Sequence, residues 1–329
     1  MTQLIDNFNR KVTYLRMSVT DRCDFRCVYC MTDKMRFLPR DQVLTLEELE
    51  FLGRAFVELG VTKIRITGGE PLVRNNILTL LQNLGKLSGL TELVITTNGS
   101  QLTKMAPELR ATGVKRINIS LDSLKAERFE KMTRVAKLDQ VLAGIDAAIN
   151  AGFEAIKLNS VILKNSNDDE INDLVAFAID KTIDISFIEE MPLGIISDHE
   201  RSDTFYSNQQ ILKKLEKSYT LIKTIKNTGG PSRYYKVIDT KTRVGFISPH
   251  SHNFCDTCNR VRLTTEGRLL LCLGQEHSID LKHIIRTNPG NMTLVKQAII
   301  NSMDIKPKGH NFDINQSPEI IRYMNMTGG

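Results

Sequence analysis

Three cysteines near the amino terminus have the spacing of ligands for a metal cluster. Cys23, Cys27 and Cys30 follow one another as C-x3-C-x2-C, and no fourth cysteine stands nearby. Three thiolates can hold three irons of a [4Fe–4S] cluster, which leaves the fourth iron open to a ligand that reacts. Zinc sites more often pair C-x2-C units and take four ligands. The spacing therefore favours an iron–sulfur cluster over a zinc knot or scattered structural thiols.

A second cysteine triplet lies in the carboxy-terminal third of the chain. Its members are Cys255, Cys258 and Cys272. The segment Asn259-Arg260-Val261-Arg262 follows Cys258 directly, and Arg260 and Arg262 share one face if it is a strand. Two guanidinium groups beside an open iron would suit a phosphorylated, nitrogen-rich substrate. The alternative is a zinc site that takes His250 or His252 as its fourth ligand.

Three basic residues each stand two positions before a polar residue at the end of a predicted strand. The pairs are Arg16 with Ser18, Arg65 with Thr67, and Lys157 with Asn159. Because side chains alternate along a strand, each cation shares its face with its polar partner. If that face is the interior of the fold, an anionic ligand is implied, since buried unpaired cations are costly. The alternative is that the cations face outward or pair with Glu189 and Glu190.

Six predicted strands alternate with helices in the first 190 residues. The strands are predicted at 14–19, 63–67, 93–97, 115–120, 155–162 and 184–189. Alternating βα units indicate a parallel sheet with right-handed crossovers. The glycine loop 68–71 is not the G-x-G-x-x-G of dinucleotide-binding folds. We predict an α/β fold, a partial (β/α)6 TIM-like barrel of curved sheet, whose reactive face lies at the carboxyl ends of the strands beside the first cysteine loop.

The composition changes after residue 191. We expect a polar helical segment at 195–232, short strands at 233–248, amphipathic helices with polar loops at 275–315 and an extended tail at 316–329. Residues 1–191 are thus predicted to form the barrel. Residues 192–329 are predicted to form a carboxy-terminal α+β region with the second cysteine triplet.

Bulk properties narrow the class of protein. The chain has 329 residues, 41% of them hydrophobic and 25% charged, which is ordinary for a globular protein. No run of residues has the length and apolarity of a membrane span, and the amino terminus lacks the pattern of a signal peptide. The net charge of +6 permits an anionic ligand, yet no Lys/Arg block of the nucleic-acid-binding type is present. We expect a cytoplasmic protein with neither a nucleic acid nor a membrane as partner.

Longer segments carry a resemblance to a known family. With Tyr29 the first triplet reads C-x3-C-x-Y-C, and this pattern followed by G-G-E-P at 68–71 resembles the radical S-adenosylmethionine (SAM) enzymes. Within them the chain resembles the GTP 3′,8-cyclase family over nearly its whole length. The matching segments are 14–23, 66–71, 119–122, 188–194, 233–235, 244–249, 254–260 and the terminal Gly328-Gly329.

The resemblance implies roles for individual residues. One [4Fe–4S] cluster would be held by Cys23, Cys27 and Cys30, and an auxiliary [4Fe–4S] cluster by Cys255, Cys258 and Cys272. SAM would be contacted by Tyr29, Gly69, Ser120 and Met191. GTP would be bound by Arg16, Arg65, Thr96, Lys157, Arg260, Val261 and Arg262. Catalysis would depend on Arg16, Arg260, Arg262, Gly328 and Gly329, with the tail reaching into the active site.

The resemblance also implies a reaction and its partners. A 5′-deoxyadenosyl radical derived from SAM would remove hydrogen from ribose C3′ of GTP, and C3′ would then attack guanine C8, the first step of molybdenum cofactor biosynthesis. An external electron donor and a downstream cyclic pyranopterin monophosphate synthase are implied, and a homodimer is allowed.

Two features depart from the family. Ser186 stands where an arginine is common, and loop 31–44 has fewer acidic residues and fewer glycines than the family pattern. Another radical SAM enzyme acting on a peptide and a zinc-stabilised binding protein are the alternatives.

Overall fold

The first part of the chain folds as strands that alternate with helices. A computed structural model describes residues 3–196, 199–226, 228–316 and 320–328. Strands β1 to β6 are Tyr14–Ser18, Lys63–Thr67, Glu92–Thr97, Arg116–Ser120, Ala155–Val161 and Asp184–Ile188. Helices α1 to α6 are Leu46–Glu58, Ile77–Gly85, Leu102–Ala111, Ala126–Thr133, Leu138–Asn150 and Ile171–Asp180. Each predicted strand is confirmed to within one residue at either end.

The remaining elements are shorter. Strands β7 to β12 are Leu221–Lys223, Arg233–Val237, Arg243–Ile247, Arg260–Leu263, Arg268–Leu270 and Ser278–Asp280. Helices α7 to α11 are Arg201–Thr204, Asn208–Leu215, Leu281–Thr287, Met292–Ser302 and Met324–Thr327. The prediction of a helical segment over 195–232 is wrong beyond α8, because 221–223 pairs with β8 as a strand. The predicted extended tail is also wrong at 324–327, which forms the helical turn α11.

One sheet runs through the whole molecule. Its strand order is β12-β11-β10-β1-β2-β3-β4-β5-β6-β9-β8-β7, and β1 to β6 are parallel neighbours. This is the predicted partial (β/α)6 TIM-like barrel. Strands β10 and β9 add to its two edges, parallel to β1 and β6 respectively. The chain after residue 191 therefore extends the same sheet on both sides, and the division into 1–191 and 192–329 stays a prediction.

Local sequence signals explain how the helices are placed around this sheet. Thr45 Oγ1 accepts a hydrogen bond from Glu48 N at 3.2 Å, and Glu48 Oε2 accepts one from Thr45 N at 2.8 Å, so α1 begins with a capping box. Its buried face includes Leu49, Leu52 and Phe56, which join the hydrophobic core around the strands. Burial of this core leaves the strand ends to carry the polar side chains. None of the helices in the described part of the chain is both long and apolar enough to span a membrane.

Candidate active site

Two adjoining chambers open at the interior of the barrel, each with an empty volume of about 1070 Å³. The first chamber is lined by Cys23, Cys27 and Cys30, and the second chamber by Cys255, Cys258 and Cys272. Side chains common to both linings are Thr96, Asn159, Ile188 and Met191. The two cysteine triplets, far apart in sequence, therefore face one continuous interior.

The residues predicted to contact SAM all border the first chamber, namely Tyr29, Gly69, Ser120 and Met191. The Tyr29 hydroxyl donates a hydrogen bond to Asp122 Oδ2 at 2.6 Å, and Asp122 Oδ1 accepts from Val161 N at 2.8 Å. Asp122 thereby ties the cysteine loop to the ends of β4 and β5. Burial raises the pKa of this carboxyl to about 6.

The glycine loop after β2 is held against the segment that precedes the first cysteine. Gly69 N donates to the Thr20 carbonyl at 2.8 Å, and a Cβ at Gly69 would lie only 2.4 Å from the Arg22 carbonyl oxygen. Glycine is thus required for this close approach. The Glu70 side chain is fully buried and accepts hydrogen bonds from Asn98 N at 2.6 Å and Thr97 Oγ1 at 2.8 Å. These hydrogen bonds give Glu70 a structural role, because they join the glycine loop to the end of β3.

Burial governs the protonation of the first three thiols. It raises the pKa of Cys23 and Cys27 well above the ordinary thiol value and that of Cys30 to about 12. Thiols of this kind are protonated at neutral pH, so a cluster would bind with release of protons. Among the residues described, no three or more His, Cys, Asp or Glu side chains already surround a point where one metal ion could be held. The donor chemistry nevertheless fits iron–sulfur clusters, since each chamber contributes three cysteines.

The second chamber is strongly basic. All residues predicted to bind GTP border it, namely Arg16, Arg65, Thr96, Lys157, Arg260, Val261 and Arg262. In the sheet register Arg16 is flanked by Arg65 on β2 and Arg262 on β10, so three guanidinium groups follow one row across the barrel. Burial, and after it the charges of Arg16 and Arg260, holds the pKa of Arg262 well below its ordinary value. The chamber therefore favours an anion, as the strand pattern predicted.

The carboxylates offered as alternative partners for these cations are engaged elsewhere. Glu189 accepts hydrogen bonds from Asn208 N at 2.9 Å and from His250 N at 3.0 Å. Glu190 Oε1 lies 3.0 Å from Arg201 Nε and 2.7 Å from His199 Nε2. Both therefore organise the loops after β6 rather than neutralising the strand cations.

Lys63 and Tyr14 also line the second chamber, and neither was predicted from the sequence to do so. They form a second row with Arg260, because Tyr14 is paired with Arg260 on one side and with Lys63 on the other. Lys63 Nζ bonds Glu92 Oε2 at 2.6 Å and the Thr228 carbonyl at 2.7 Å. The signal was available, since Tyr14 and Lys63 stand two residues before Arg16 and Arg65 and so share their face.

The carboxy-terminal tail lies within the barrel. The Gly328 carbonyl oxygen accepts hydrogen bonds from Arg262 Nη1 at 3.1 Å and Arg16 Nη2 at 3.3 Å. Asn325, 1% exposed, donates from Nδ2 to the Asp21 carbonyl at 2.8 Å, which anchors α11 beside the first cysteine loop. Gly329 lies outside the described residues. Gly328 thus contacts two arginines that border the second chamber, and the catalytic role of the tail stays a proposal.

The histidines are not placed as the zinc alternative requires. His250 borders neither chamber, and its Nε2 is bonded to the Glu190 carbonyl at 2.8 Å. His252 is exposed to solvent. His310, by contrast, borders the second chamber. This position could not be predicted from the sequence, because His310 stands 38 positions after Cys272 and only the fold brings the two to one chamber.

The departure at Ser186 also falls inside the barrel. Ser186 is completely buried on β6, opposite Asn159 on β5, and its Oγ lies 3.1 Å from Ser232 Oγ. Because Ser232 borders the second chamber, this pair of hydroxyl groups lies at the wall of that chamber. Lys157, nearby on β5, lies 3.4 Å from the Tyr234 hydroxyl.

Family models divide the chain between two descriptions. The Radical SAM superfamily matches residues 17–178, and Molybdenum Cofactor Synthesis C matches residues 183–312. The Streptococcus suis SuiB structure bound to S-adenosylmethionine has a TM-score of 0.62 at 15% identity, covering 97% of this chain and 78% of that one. Such a likeness shows the fold alone. The barrel, its cysteine loop and these matches define the chain as a radical SAM protein, which implies SAM and an iron–sulfur cluster as cofactors.

Full-length relatives narrow the class to one family. The GTP 3′,8-cyclase of Pseudomonas fluorescens (strain Pf0-1) is 59% identical over 327 residues, which are 99% of this chain and 98% of that protein. The GTP 3′,8-cyclase of Saccharophagus degradans is 57% identical over 326 residues, again 99% and 98%. The chain belongs to the GTP 3′,8-cyclase family. The peptide-modifying enzyme and the zinc-stabilised binding protein gain no support from these relatives.

Proposed function

We propose that this chain is a GTP 3′,8-cyclase that forms (8S)-3′,8-cyclo-7,8-dihydroguanosine 5′-triphosphate, the first step of molybdenum cofactor biosynthesis. The observation that carries the proposal is the junction of the two chambers at Thr96, Asn159, Ile188 and Met191. A radical formed in the first chamber would meet a nucleotide held in the second without crossing solvent. Held geometry of this kind supplies much of the rate in a reaction between two bound partners.

The cofactors we propose are two [4Fe–4S] clusters and SAM. Cys23, Cys27 and Cys30 would hold the cluster that, with SAM bound, supplies the 5′-deoxyadenosyl radical that removes ribose H3′. Around it, Tyr29, Gly69, Ser120 and Met191 would position SAM. Cys255, Cys258 and Cys272 would hold the auxiliary cluster. The surroundings of this cluster are basic. Burial alone would raise the pKa of Cys258, but the charges of Arg260 and Lys306 outweigh burial and lower that pKa. A lowered thiol pKa favours the thiolate that iron requires.

The triphosphate would bind to the rows of cations across β10, β1 and β2. Arg16, Arg65 and Arg262 form one row, and Lys63 with Arg260 forms the next. Guanidinium groups bind phosphate oxygens in pairs, and Lys157 adds a point charge on β5. With Thr96 and Val261 along the wall, these contacts would fix the ribose between the chambers. The binding energy of the phosphates would thereby place C3′ against the radical.

The tail would complete the site from the side of the basic row. The Gly328 carbonyl is held by Arg16 and Arg262, two of the arginines proposed to bind the triphosphate. We infer that Gly328 and Gly329 orient these two arginines towards the substrate. Arg16, Arg260 and Arg262 would then be the charged side chains that contact the substrate.

The expected partners follow from the same reaction. GTP is the substrate, an external electron donor reduces the enzyme, and a cyclic pyranopterin monophosphate synthase consumes the product. We further propose a cytoplasmic location, with a homodimer as the assembly to be tested by sedimentation. No nucleic acid or membrane takes part.

Anaerobic turnover tests the proposal. Protein reconstituted with iron and sulfide is given GTP, SAM and a chemical reductant, and the products are identified by mass. We expect 5′-deoxyadenosine and a 3′,8-cyclised nucleotide, with roughly eight irons per chain. The matched control replaces Cys255, Cys258 and Cys272 with alanine, which should leave SAM cleavage possible and remove cyclisation. Turnover with a peptide but not with GTP, or stoichiometric zinc in anaerobically purified protein, would overturn it.

A further inference from the structure

His310 is fixed between the two segments that carry the outer cysteines of the second chamber. Its ring lies against Phe312, with centroids 4.3 Å apart. A Cβ at Gly274, two residues after Cys272, would lie 2.6 Å from the His310 Cβ, and one at Gly309 would lie 3.3 Å from Cys255 Sγ. The two glycines thus allow the imidazole to sit at the wall of this chamber.

The hydrogen bonding of His310 defines its tautomer. Nδ1 accepts a hydrogen bond from Phe312 N at 3.3 Å. Burial, and after it the nearby His250, lowers the pKa of His310 to about 4, so the ring is neutral at neutral pH. A neutral imidazole whose Nδ1 accepts must carry its proton on Nε2. His310 is therefore a hydrogen-bond donor through Nε2.

This donor has no acceptor among the described residues, although Nε2 is buried. Buried polar groups are nearly always paired, and an unpaired one at a binding site points to a partner that binds there. The cysteines of the second chamber differ in the hydrogen-bond donors that lie near their sulfur atoms. Cys258 Sγ lies 3.8 Å from Arg260 Nη2 and 4.0 Å from Lys306 Nζ, whereas none of the described residues donates to Cys255 Sγ.

We propose that His310 donates a hydrogen bond from Nε2 to a sulfur of the auxiliary cluster, on the side of Cys255. The proposal rests on the proposed function, because it requires a cluster on the second triplet. A hydrogen bond to a cluster sulfur stabilises the reduced, more negative form and so raises the reduction potential. His310 is thus a positioning residue that tunes the cluster opposite Arg260 and Lys306.

The test measures the auxiliary cluster by itself. Cys23, Cys27 and Cys30 are replaced with alanine, and the reconstituted protein is titrated with reductant while electron paramagnetic resonance follows the remaining cluster. In this background His310→Phe keeps a ring and removes the donor, while His310→Gln keeps an N–H near the position of Nε2. We expect a lower midpoint potential in His310→Phe and partial or full recovery in His310→Gln. His283→Phe, at an exposed histidine of α9, is the matched control and should leave the potential unchanged.

The outcomes separate this proposal from the function on which it rests. If the alanine background holds no iron, the auxiliary cluster itself is absent and the two-cluster proposal fails. If it holds roughly four irons per chain but His310→Phe leaves the potential unchanged, only the role of His310 fails. Equal shifts in His310→Phe and His310→Gln, or loss of iron in both, would assign His310 a packing role instead.

A second measurement can contradict the proposal on the unsubstituted chain alone. In the full chain labelled with ¹⁵N-histidine, electron–nuclear double resonance of the reduced auxiliary cluster should detect a weakly coupled nitrogen. His310→Phe should remove that coupling, and His283→Phe should keep it. A spectrum without nitrogen coupling in the unsubstituted chain would contradict the proposal even if every variant failed to fold.

Discussion

Arg262 Nη1 donates a hydrogen bond to the carbonyl oxygen of Gly328 at 3.1 Å, which joins the wall of the second chamber to the tail. The contact places backbone, rather than a side chain, next to the basic row. A carbonyl oxygen carries only a partial negative charge. It can therefore hold the guanidinium group in place while leaving its charge available to a phosphate.

Gly328→Ala should release the tail. Gly328 has φ +71° and ψ 134°, a conformation that side chains rarely adopt, and an added Cβ would lie 2.1 Å from Thr67 Oγ1. Backbone strain of this kind costs about 1–3 kcal/mol, so the seated tail should lose on the order of tenfold or more in population. We expect a matching loss of cyclised product in anaerobic turnover, with GTP and SAM binding retained.

The control for Gly328→Ala is Gly290→Ala. Gly290 has φ +75° in the loop between α9 and α10, where an added Cβ would meet no atom within 4 Å. An alanine there would also have a left-handed φ but would touch no part of the site, so it should lower stability and leave turnover per folded chain unchanged. Equal losses of turnover in both variants would show that Gly328→Ala does not act through the tail.

Arg262→Ala should abolish most cyclisation while both clusters stay in place. The arginine borders the second chamber but is not a cysteine ligand, and a charged hydrogen bond of this type contributes about 1.5–3 kcal/mol. The expected loss is roughly tenfold to a hundredfold in kcat/KM for GTP. Iron analysis should still find roughly eight irons per chain. Arg286→Ala, which removes a surface contact to Glu48, should behave as the parent. Loss of iron in Arg262→Ala would show that the arginine acts structurally.

The strand pattern was sufficient to predict the barrel and its basic interior. The alternation of βα units and the period of two along each strand depend only on local sequence, so Arg16, Arg65 and Lys157 could be placed on one face. The same rule places Lys63 and Tyr14 on this face. Neither was predicted, because neither stands two positions before a polar residue at the end of a strand. The cysteine triplets were equally local signals.

Other parts of the site depend on long-range packing. The position of α11 inside the barrel is set by Asn325 bonding the Asp21 carbonyl, 304 residues away in sequence, which no local pattern encodes. The pairing of β10 with β1 is of the same kind and joins Arg262 to Arg16. One sheet thereby positions both cysteine loops, and the division of the chain after residue 191 stays a prediction.

Lys63→Met should weaken binding of the triphosphate in particular. Lys63 is 6% exposed and borders the second chamber, where its Nζ is paired with Glu92 at 2.6 Å, so a bound phosphate would share this cation with that carboxylate. Loss of one charged contact should raise the KM for GTP by roughly tenfold to a hundredfold, with a smaller effect on kcat. Binding of guanosine, which lacks phosphates, should change little. Lys296→Met, at an exposed pair with Glu58, is the control. Equal weakening of GTP and guanosine would contradict a phosphate role.

Tyr14 should titrate as an unusually acidic phenol that responds to anions. Burial alone would raise its pKa, but the charges of Arg65, Arg16 and Lys63 outweigh that and lower the pKa to about 7 from the usual 10.0. Its Oη accepts a hydrogen bond from Arg65 Nε at 2.5 Å. Because the folded pKa lies below the unfolded one, this group contributes stability that is complete above about pH 10 and disappears as the pH falls through about 7.

A phosphate anion in the second chamber should raise the pKa of Tyr14 again, because it would neutralise the cations that stabilise the phenolate. The chain contains no tryptophan, so tyrosinate absorbance at 295 nm can be read in protein without clusters. At pH 8 we expect a phenolate signal that inorganic tripolyphosphate diminishes with uptake of a proton. Tyr14→Phe should lose the step near pH 7 and keep the one near 8 from Tyr234, whose pKa Lys157 lowers against the effect of burial. A signal indifferent to tripolyphosphate would place the anion site away from Tyr14, Arg65 and Lys63.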